Sequence, residues 1–217
     1  MCLAVHEIKT PLTVLKAYLQ MHLMEIQRTG MERFVPVLEK MDFQLNKIQT
    51  LLCDLQDIAQ HRPEDIYCLM NKFDACELVS RCAESSAAAN PGFTIELEVP
   101  DYALIVRADQ ERIEQVVHNL LNNAVKYSGQ NKYIKLSCTK VDDHMRIAVT
   151  DKGKGIPPQE RERIFQQFYR IQCPDTKIQP GLGLGLFICL EIINKHKGQI
   201  GVNSVEGEGS EFWFWLP

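Results

Sequence analysis

The chain has 217 residues, of which 45% are hydrophobic and 24% are charged, and its formal net charge is −4. This composition is typical of a folded chain of about two modest domains, and the acidic balance disfavours a nucleic-acid partner. No apolar stretch reaches the ~20 residues that a membrane-spanning helix needs. The eight cysteines include no C-x-x-C pair, which predicts reduced thiols in a cytoplasmic protein without membrane contact.

Residues 1–60 predict a helical hairpin that turns at Gly30, because apolar residues recur there at intervals of three and four. Two helices alone bury such a seam poorly, so we expect a homodimer that forms a four-helix bundle. The alternative is an intrachain hairpin packed on the second domain. Residues 61–72 lose the periodicity and are predicted to be a linker. The seam comprises Leu12, Leu15, Leu19, Leu23 and Ile26, then Leu38, Met41, Leu45, Ile48, Leu52, Leu55 and Ala59.

Residues 73–217 predict an α/β sandwich with a mixed, mostly antiparallel sheet and helices on one face, which makes the whole chain α+β. Hydrophobic periodicity and turn residues place each element. Helices are predicted at 74–86, 109–127, 158–168 and 184–196, strands at 93–99, 102–106, 133–141, 145–150, 199–204 and 211–216, and a mobile loop at 172–183.

The first chemically distinctive stretch is His6-Glu7-Ile8-Lys9-Thr10-Pro11-Leu12. His6 and Thr10 share a helix face, and Glu7 lies close enough to reach the imidazole. Pro11 removes a helical hydrogen bond beside them. An exposed imidazole next to a base is a candidate nucleophile. The ordinary alternative is a solvated surface histidine.

Polar residues interrupt the apolar pattern of the 109–127 helix at Asn119, Asn123, Lys126 and Tyr127. Polar groups that border a core need partners. A magnesium-bound triphosphate would supply them, because an amide oxygen suits Mg²⁺ and an ammonium suits phosphate. Capping and sheet-edge hydrogen bonds are the alternative.

Asp151-Lys152-Gly153-Lys154-Gly155 follows a predicted strand. The carboxylate of Asp151 could accept a hydrogen bond from an exocyclic amine such as that of adenine. Gly153 and Gly155 would let a flat ring approach the backbone. An ordinary turn is the alternative.

Gly181-Leu182-Gly183-Leu184-Gly185-Leu186 opens an apolar helix, where free backbone amides form an anion cradle. A flexible hinge is the alternative. In the segment before it, we interpret Phe165 and Phe168 as core anchors, and Arg170 could pair with a phosphate.

In their order and spacing these stretches resemble the motifs of a bacterial sensor histidine kinase. Residues 6–12 match its H box, 119–128 its N box, 151–155 its first glycine box, 165–170 its F box and 181–186 its second glycine box. The resemblance implies a dimerisation and phosphotransfer hairpin, followed by the ATP-binding fold shared with Hsp90, gyrase and MutL.

The resemblance also implies roles at the acceptor. His6 would take the γ-phosphoryl group of ATP on the ring nitrogen distal to the backbone. Glu7 would act as the base at the other ring nitrogen. Thr10 would position water during dephosphorylation of the partner.

For the nucleotide, the resemblance implies contacts with ATP and Mg²⁺ along four motifs. Asn123 would bind the magnesium ion, and Asp151 would read adenine with Gly155 beside the ring. Arg170 would steady the γ-phosphate under a lid formed by residues 172–183. The remaining expected nucleotide-binding residues are Asn119, Lys126, Tyr127, Gly153, Tyr169, Gly181, Gly183, Leu184, Gly185 and Leu186.

The implied function is ATP-dependent autophosphorylation of His6 and transfer to an aspartate of a response-regulator receiver domain, with phosphatase activity toward that regulator as a second reaction. The alternatives are an ATP-driven conformational clamp and a receiver-docking module without phosphotransfer. Only five residues precede His6, Val5 replaces a frequent serine, and Leu182 occupies an often polar position. We therefore expect a fragment or excised core of a longer parent, with its membrane anchorage left open.

Overall fold

The computed structural model describes residues 12–13, 15–22, 24, 38, 41, 45, 68–171 and 183–217. The chain divides into two compact units. The first unit comprises residues 1–66 and 174–182, and the second comprises residues 67–173 and 183–217.

In the first unit, every described residue is helical. Leu12 is buried, and the half-buried Leu45 packs against it, so the two halves of the predicted hairpin touch through seam residues. His6, Glu7, Thr10 and the turn at Gly30 lie outside the described residues. Several large apolar side chains of this unit are exposed, namely Leu15, Tyr18, Met21, Met24 and Met41.

The second unit is an α/β sandwich, as predicted. Its described helices are α1 (Ala75–Ala89), α2 (Gln110–Tyr127) and α3 (Gly185–Lys195). Its described strands are β1 (Asn71–Asp74), β2 (Thr94–Glu98), β3 (Ile105–Ala108), β4 (Tyr133–Val141), β5 (His144–Asp151), β6 (Gln199–Val205) and β7 (Gly209–Leu216). None of the helices within the described ranges has the length and apolar character to cross a bilayer.

The main sheet has five strands in the order β2-β4-β5-β7-β6. The β2–β4 pair is parallel, and the other neighbouring pairs are antiparallel. A separate antiparallel ribbon joins β1 to β3. One face of the main sheet is buried under the helices, and α2 contacts α1 on one side and α3 on the other. The central helix of the layer therefore has one flank toward each neighbour.

Two aspartates begin the first two helices. Asp74 Oδ1 accepts from the backbone N–H of Cys76, at 2.9 Å, and thereby caps α1. Asp109 Oδ1 accepts from Arg112 N at 3.2 Å and caps α2, while its Oδ2 accepts from Leu69 N at 2.8 Å. The predicted starts of both helices are confirmed. Asp109 also holds the backbone of Leu69, just before β1, against the start of α2.

Three predicted elements differ from the structure. The strand predicted at 102–106 is instead Ile105–Ala108, because the backbone of Leu104 bonds to the start of α1 rather than to a ladder. The strand Asn71–Asp74 lies at the end of the predicted linker. The helix predicted at 158–168 is wrong, and short 3₁₀ turns at Pro158–Glu160 and Arg163–Phe165 replace it. Only Ile164 is buried there, so a helix would have no apolar stripe to pack.

The buried His196 ties the end of α3 to the start of α2. Its Nε2 accepts from the backbone N–H of Asp109 at 2.9 Å. Its Nδ1 lies 2.8 Å from the carbonyl oxygen of Ile192. Because a carbonyl only accepts, Nδ1 carries the proton and the ring is the neutral tautomer. Both ring nitrogens are thus used in holding two helices together.

We expect His196→Leu to lower the free energy of unfolding by about 1–3 kcal/mol, because it leaves the amide of Asp109 buried without an acceptor. Urea denaturation monitored by circular dichroism measures the loss. As a control, His144→Leu keeps an apolar group against Trp215 and should stay within about 0.5 kcal/mol of wild type. Equal stability of the His196 variant and wild type would contradict this role.

Candidate functional site

The flank of α2 that faces α3 carries Asn119. A methyl group added at Gly185, the first residue of α3, would lie 3.8 Å from Asn119 Cγ, so the asparagine side chain packs directly on the start of that helix. The same side chain hydrogen-bonds the thiol of Cys189, whose pKa burial raises to about 12. The N-box stretch and the second glycine stretch are therefore in contact.

Positive charge gathers at the end of α2. Lys126 Nζ lies 5.0 Å from the centre of the Tyr127 ring, and Lys154 Nζ lies 5.9 Å from it. Asn123 lies one turn before Tyr127 and is half-buried. An amide oxygen beside two ammonium groups suits a ligand with anionic oxygens.

Asp151 ends β5 and is 5% exposed. Its Oδ1 accepts from Gly153 N at 2.8 Å. Burial raises the pKa of the Asp151 carboxyl, and this hydrogen bond opposes the rise. A buried carboxylate with remaining acceptor capacity can recognise a donor such as an exocyclic amine.

Both glycines after Asp151 are required by the protein's own backbone. A side chain at Gly153 would collide with the carbonyl oxygen of Tyr127. Gly155 has φ +68°, and a side chain there would collide with the carbonyl of Val205. The loop thus packs against the end of α2 and against the β6–β7 hairpin.

The 165–170 stretch contacts the second glycine stretch. The amide of Phe168 donates to Gly183 O at 3.1 Å, and a methyl group at Gly183 would lie 2.6 Å from Tyr169 O and 3.1 Å from Arg170 Cγ. Gly183 has φ +75°, which favours glycine at this crossing. The chain thereby brings Arg170 next to the start of α3.

The interpretation of Phe168 as a core anchor is wrong. Its side chain is 57% exposed, and its φ of +63° turns it away from the core. Phe165 is half-buried, and Ile164 is the buried residue of this segment.

Sequence reasoning missed the partners of Tyr169. Its hydroxyl donates to Glu160, and the guanidinium of Arg163 lies 4.5 Å from its ring centre. These charged residues fall in the stretch that was predicted to be helical, and no spacing in the sequence pairs them with Tyr169. They hold the tyrosine beside Gly183.

The start of α3 supplies backbone amides. Leu184 is buried, and its carbonyl accepts the first helical hydrogen bond, from Ile188 N at 2.9 Å. The amides of the first turn, including those of Gly185 and Leu186, therefore lack intrahelical acceptors. Such a helix start attracts anions. Gly181 and the rest of the predicted lid before Gly183 lie outside the described residues.

Four separated motifs thus meet within one unit: Asn119 packs on Gly185, Tyr127 on Gly153, and Tyr169 with Arg170 on Gly183. Two clefts of about 430 and 390 Å³ lie elsewhere, around Asp109 and around His144. We place the candidate site at the contacts between the motifs rather than at these clefts, because no described residue of the four motifs lines either cleft.

Comparison with known proteins gives the same assignment for both parts of the chain. Residues 108–217 match the family "Histidine kinase-, DNA gyrase B-, and HSP90-like ATPase". Residues 4–64 match the "His Kinase A (phospho-acceptor) domain".

Among curated relatives, the adaptive-response sensory kinase SasA of Prochlorococcus marinus is 33% identical over 98% of this chain and 55% of its own length. Among solved structures, full-length ShkA in complex with AMPPNP aligns with a TM-score of 0.74 and 28% identity, over 99% of this chain and 44% of that one. The catalytic domain of the histidine kinase ThkA aligns with a TM-score of 0.59 and 31% identity, over 68% of this chain and 95% of that one.

The chain spans about half the length of SasA and of ShkA. The family matches cover both units, and the described fold is that of solved histidine kinases. The chain therefore belongs to the sensor histidine kinase family.

Proposed function

We propose that this chain is an ATP-dependent histidine kinase core that phosphorylates His6 and passes the phosphoryl group to an aspartate of a response-regulator receiver domain. The observation that carries the proposal is that the four motifs contact one another in pairs within one unit: Asn119 with Gly185, Tyr127 and Asp151 with Gly153, and Arg170 with Gly183. The phospho-acceptor family match contains His6 and supports the second half of the proposal.

At the base end of the nucleotide, Asp151 accepts a hydrogen bond from the adenine amine. Burial makes this bond selective for adenine, because a nucleobase without an amine at this position would leave the buried carboxylate without a hydrogen-bond donor. Gly153 and Gly155 keep the adjoining backbone bare, and Tyr127 borders the nucleotide.

At the phosphate end, the amides of Gly183–Leu186 and the cations Lys126 and Arg170 take the negative charge, together with Asn119. The residues also fit Mg²⁺, since the amide oxygen of Asn123 is a hard donor and the phosphates supply further oxygens. When bound, Mg²⁺ would neutralise phosphate charge and orient the phosphates.

The transfer moves one phosphoryl group twice. The distal ring nitrogen of His6 forms a bond to the γ-phosphorus, the bond from that phosphorus to the bridging oxygen breaks, and ADP leaves. Glu7 accepts the proton of the other ring nitrogen. The N–P bond then breaks as a receiver aspartate oxygen takes the phosphoryl group. In the phosphatase reaction, Thr10 positions the attacking water.

We further propose a homodimer, because Leu15, Tyr18, Met21 and Met41 of the hairpin unit are exposed apolar side chains that a second copy would cover. An ATP-driven clamp would share the nucleotide residues, but it would have no use for a phospho-acceptor hairpin. A docking module would not need the nucleotide motifs.

Incubation with γ-labelled ATP and magnesium should label the wild type, and His6→Gln should carry no label because it lacks the accepting nitrogen. The label should be acid-labile and alkali-stable, as expected of a phosphoramidate. His22→Gln, an exposed histidine on the same hairpin unit, should label like wild type. Label that persists in His6→Gln would disprove the acceptor, and nucleotide binding without any label would favour the clamp or the docking module.

Asn123→Ala should abolish magnesium-dependent labelling while the melting curve stays near that of wild type, because the side chain is half-buried and lies outside the apolar stripe of α2. Asn122→Ala is the matched control, since Asn122 is exposed one position earlier on the same helix and should retain full labelling. Wild-type labelling in Asn123→Ala would remove the magnesium role.

Asp151→Asn should separate binding from stability. Nucleotide affinity, measured by calorimetry, should fall about 10–100-fold, because a neutral amide oxygen replaces the charged acceptor of the adenine amine. The pKa of Asp151 is higher in the folded protein than in the unfolded chain, so the folded protein binds the proton more tightly. The free energy of unfolding of the wild type therefore falls as the pH rises from about 4 through the folded pKa. The variant should therefore lack this fall and be at least as stable at pH 7. Asp101→Asn, at an exposed position, should change neither quantity. Unchanged nucleotide affinity in Asp151→Asn would contradict base recognition.

A further inference from the structure

Three metal-ligating side chains that the kinase reaction does not use meet between α1 and the flank of α2 that faces it. They are Cys82 of α1 and Glu114 and His118 of α2. One ligand atom from each lies within 4.8 Å of the other two. Glu114 and His118 are one helical turn apart, and their Oε1 and Nε2 atoms are 3.7 Å apart.

The three side chains differ in burial, so the site is closed at Cys82 and open to solvent at Glu114 and His118. Cys82 is fully buried between the helices. The side chains of His118 and Glu114 are 37% and 38% exposed, so an ion can enter from solvent and reach the sulfur. Ser86, one turn after Cys82 on α1, is buried, and its hydroxyl has no hydrogen-bond partner among the described residues.

Cys82 lies beside the carboxylate of Glu114 and directly follows Arg81 on α1. Burial raises the pKa of the Cys82 thiol to about 12, and the nearby Glu114 carboxylate adds to the rise, whereas Arg81 opposes it. A dication bound here would offset the charge of Glu114 by pairing with it, and it would hold Cys82 as the thiolate.

We propose that Cys82, Glu114 and His118 form a binding site for Zn²⁺ between α1 and α2. Thiolate sulfur, imidazole nitrogen and carboxylate oxygen are the donors that zinc uses in proteins, and a water molecule completes the tetrahedron. The thiol excludes Mg²⁺ and Ca²⁺ as occupants, since both require oxygen ligands. On binding, the Cys82 S–H bond breaks, the sulfur–zinc bond forms, and the proton passes to solvent.

The consequence is a bridge between two helices of the nucleotide-binding unit. Zinc at this position ties Cys82 in the middle of α1 to His118, which directly precedes Asn119 on α2. The ion and the nucleotide would therefore occupy opposite flanks of the same helix. The proposal does not depend on the kinase reaction, because metal binding can be measured without ATP.

The test is metal binding to the full, untagged chain, stripped of metal and kept reduced by a phosphine. Co²⁺ should bind one ion per chain and give a near-ultraviolet thiolate-to-cobalt charge-transfer band, and Zn²⁺ should displace it. Calorimetry in buffers of different ionisation enthalpy should show release of the Cys82 proton on zinc binding. Zinc should also raise the melting temperature.

Cys82→Ala should lose the charge-transfer band and the proton release, and His118→Gln should weaken zinc binding by about tenfold or more. Cys138→Ala, which removes another buried thiol in β4, should bind like wild type. If Cys82→Ala does not fold, the half-exposed His118→Gln carries the test. Wild-type zinc affinity in His118→Gln, or a cobalt complex without a thiolate band, would overturn the proposal.

Discussion

The rotation of α2 about its axis is the constraint on which the rest of the second unit depends. Six of its residues are buried to 2% exposure or less, and they pack between the sheet and the neighbouring helices. A shift of one residue would turn the helix by about 100° and would force Asn119 or Asn123 into the apolar core. An unpaired buried amide costs about 1–3 kcal/mol, so the apolar stripe determines which side chains reach each flank. The stripe comprises Ile113, Val116, Val117, Leu120, Leu121 and Ala124.

Close backbone crossings then join one loop to this helix and other loops to their own neighbours. Gly153 crosses the carbonyl of Tyr127, Gly155 crosses Val205, and Gly183 crosses Tyr169. A side chain at any of these positions would push two segments apart. The glycines that the sequence analysis associates with a ligand are therefore needed for the contacts between segments of the protein itself.

The sequence predicts the elements whose signal is local and periodic. The α2 helix follows from apolar spacing, and the strand Tyr133–Val141 has the predicted bounds. The strand β1 was missed, and β3 was predicted with shifted bounds, because these four-residue strands are defined by their long-range pairing rather than by alternation. Phe168 was misinterpreted for a similar reason, since its positive φ and exposure depend on the hydrogen bond to Gly183. The motif residues could be named from the sequence, but contacts such as Tyr169 with Glu160 required the fold.

The two flanks of α2 differ in chemistry as well as in direction. The flank toward α3 offers amide oxygens and, near its end, ammonium groups, which suit Mg²⁺ with phosphate oxygens. The flank toward α1 offers sulfur, imidazole and carboxylate, which favour zinc over magnesium. Under the two proposals, α2 would hold two different ions, because donor softness would select the ion on each flank. His118 and Asn119, adjacent in sequence, would then belong to two independent sites.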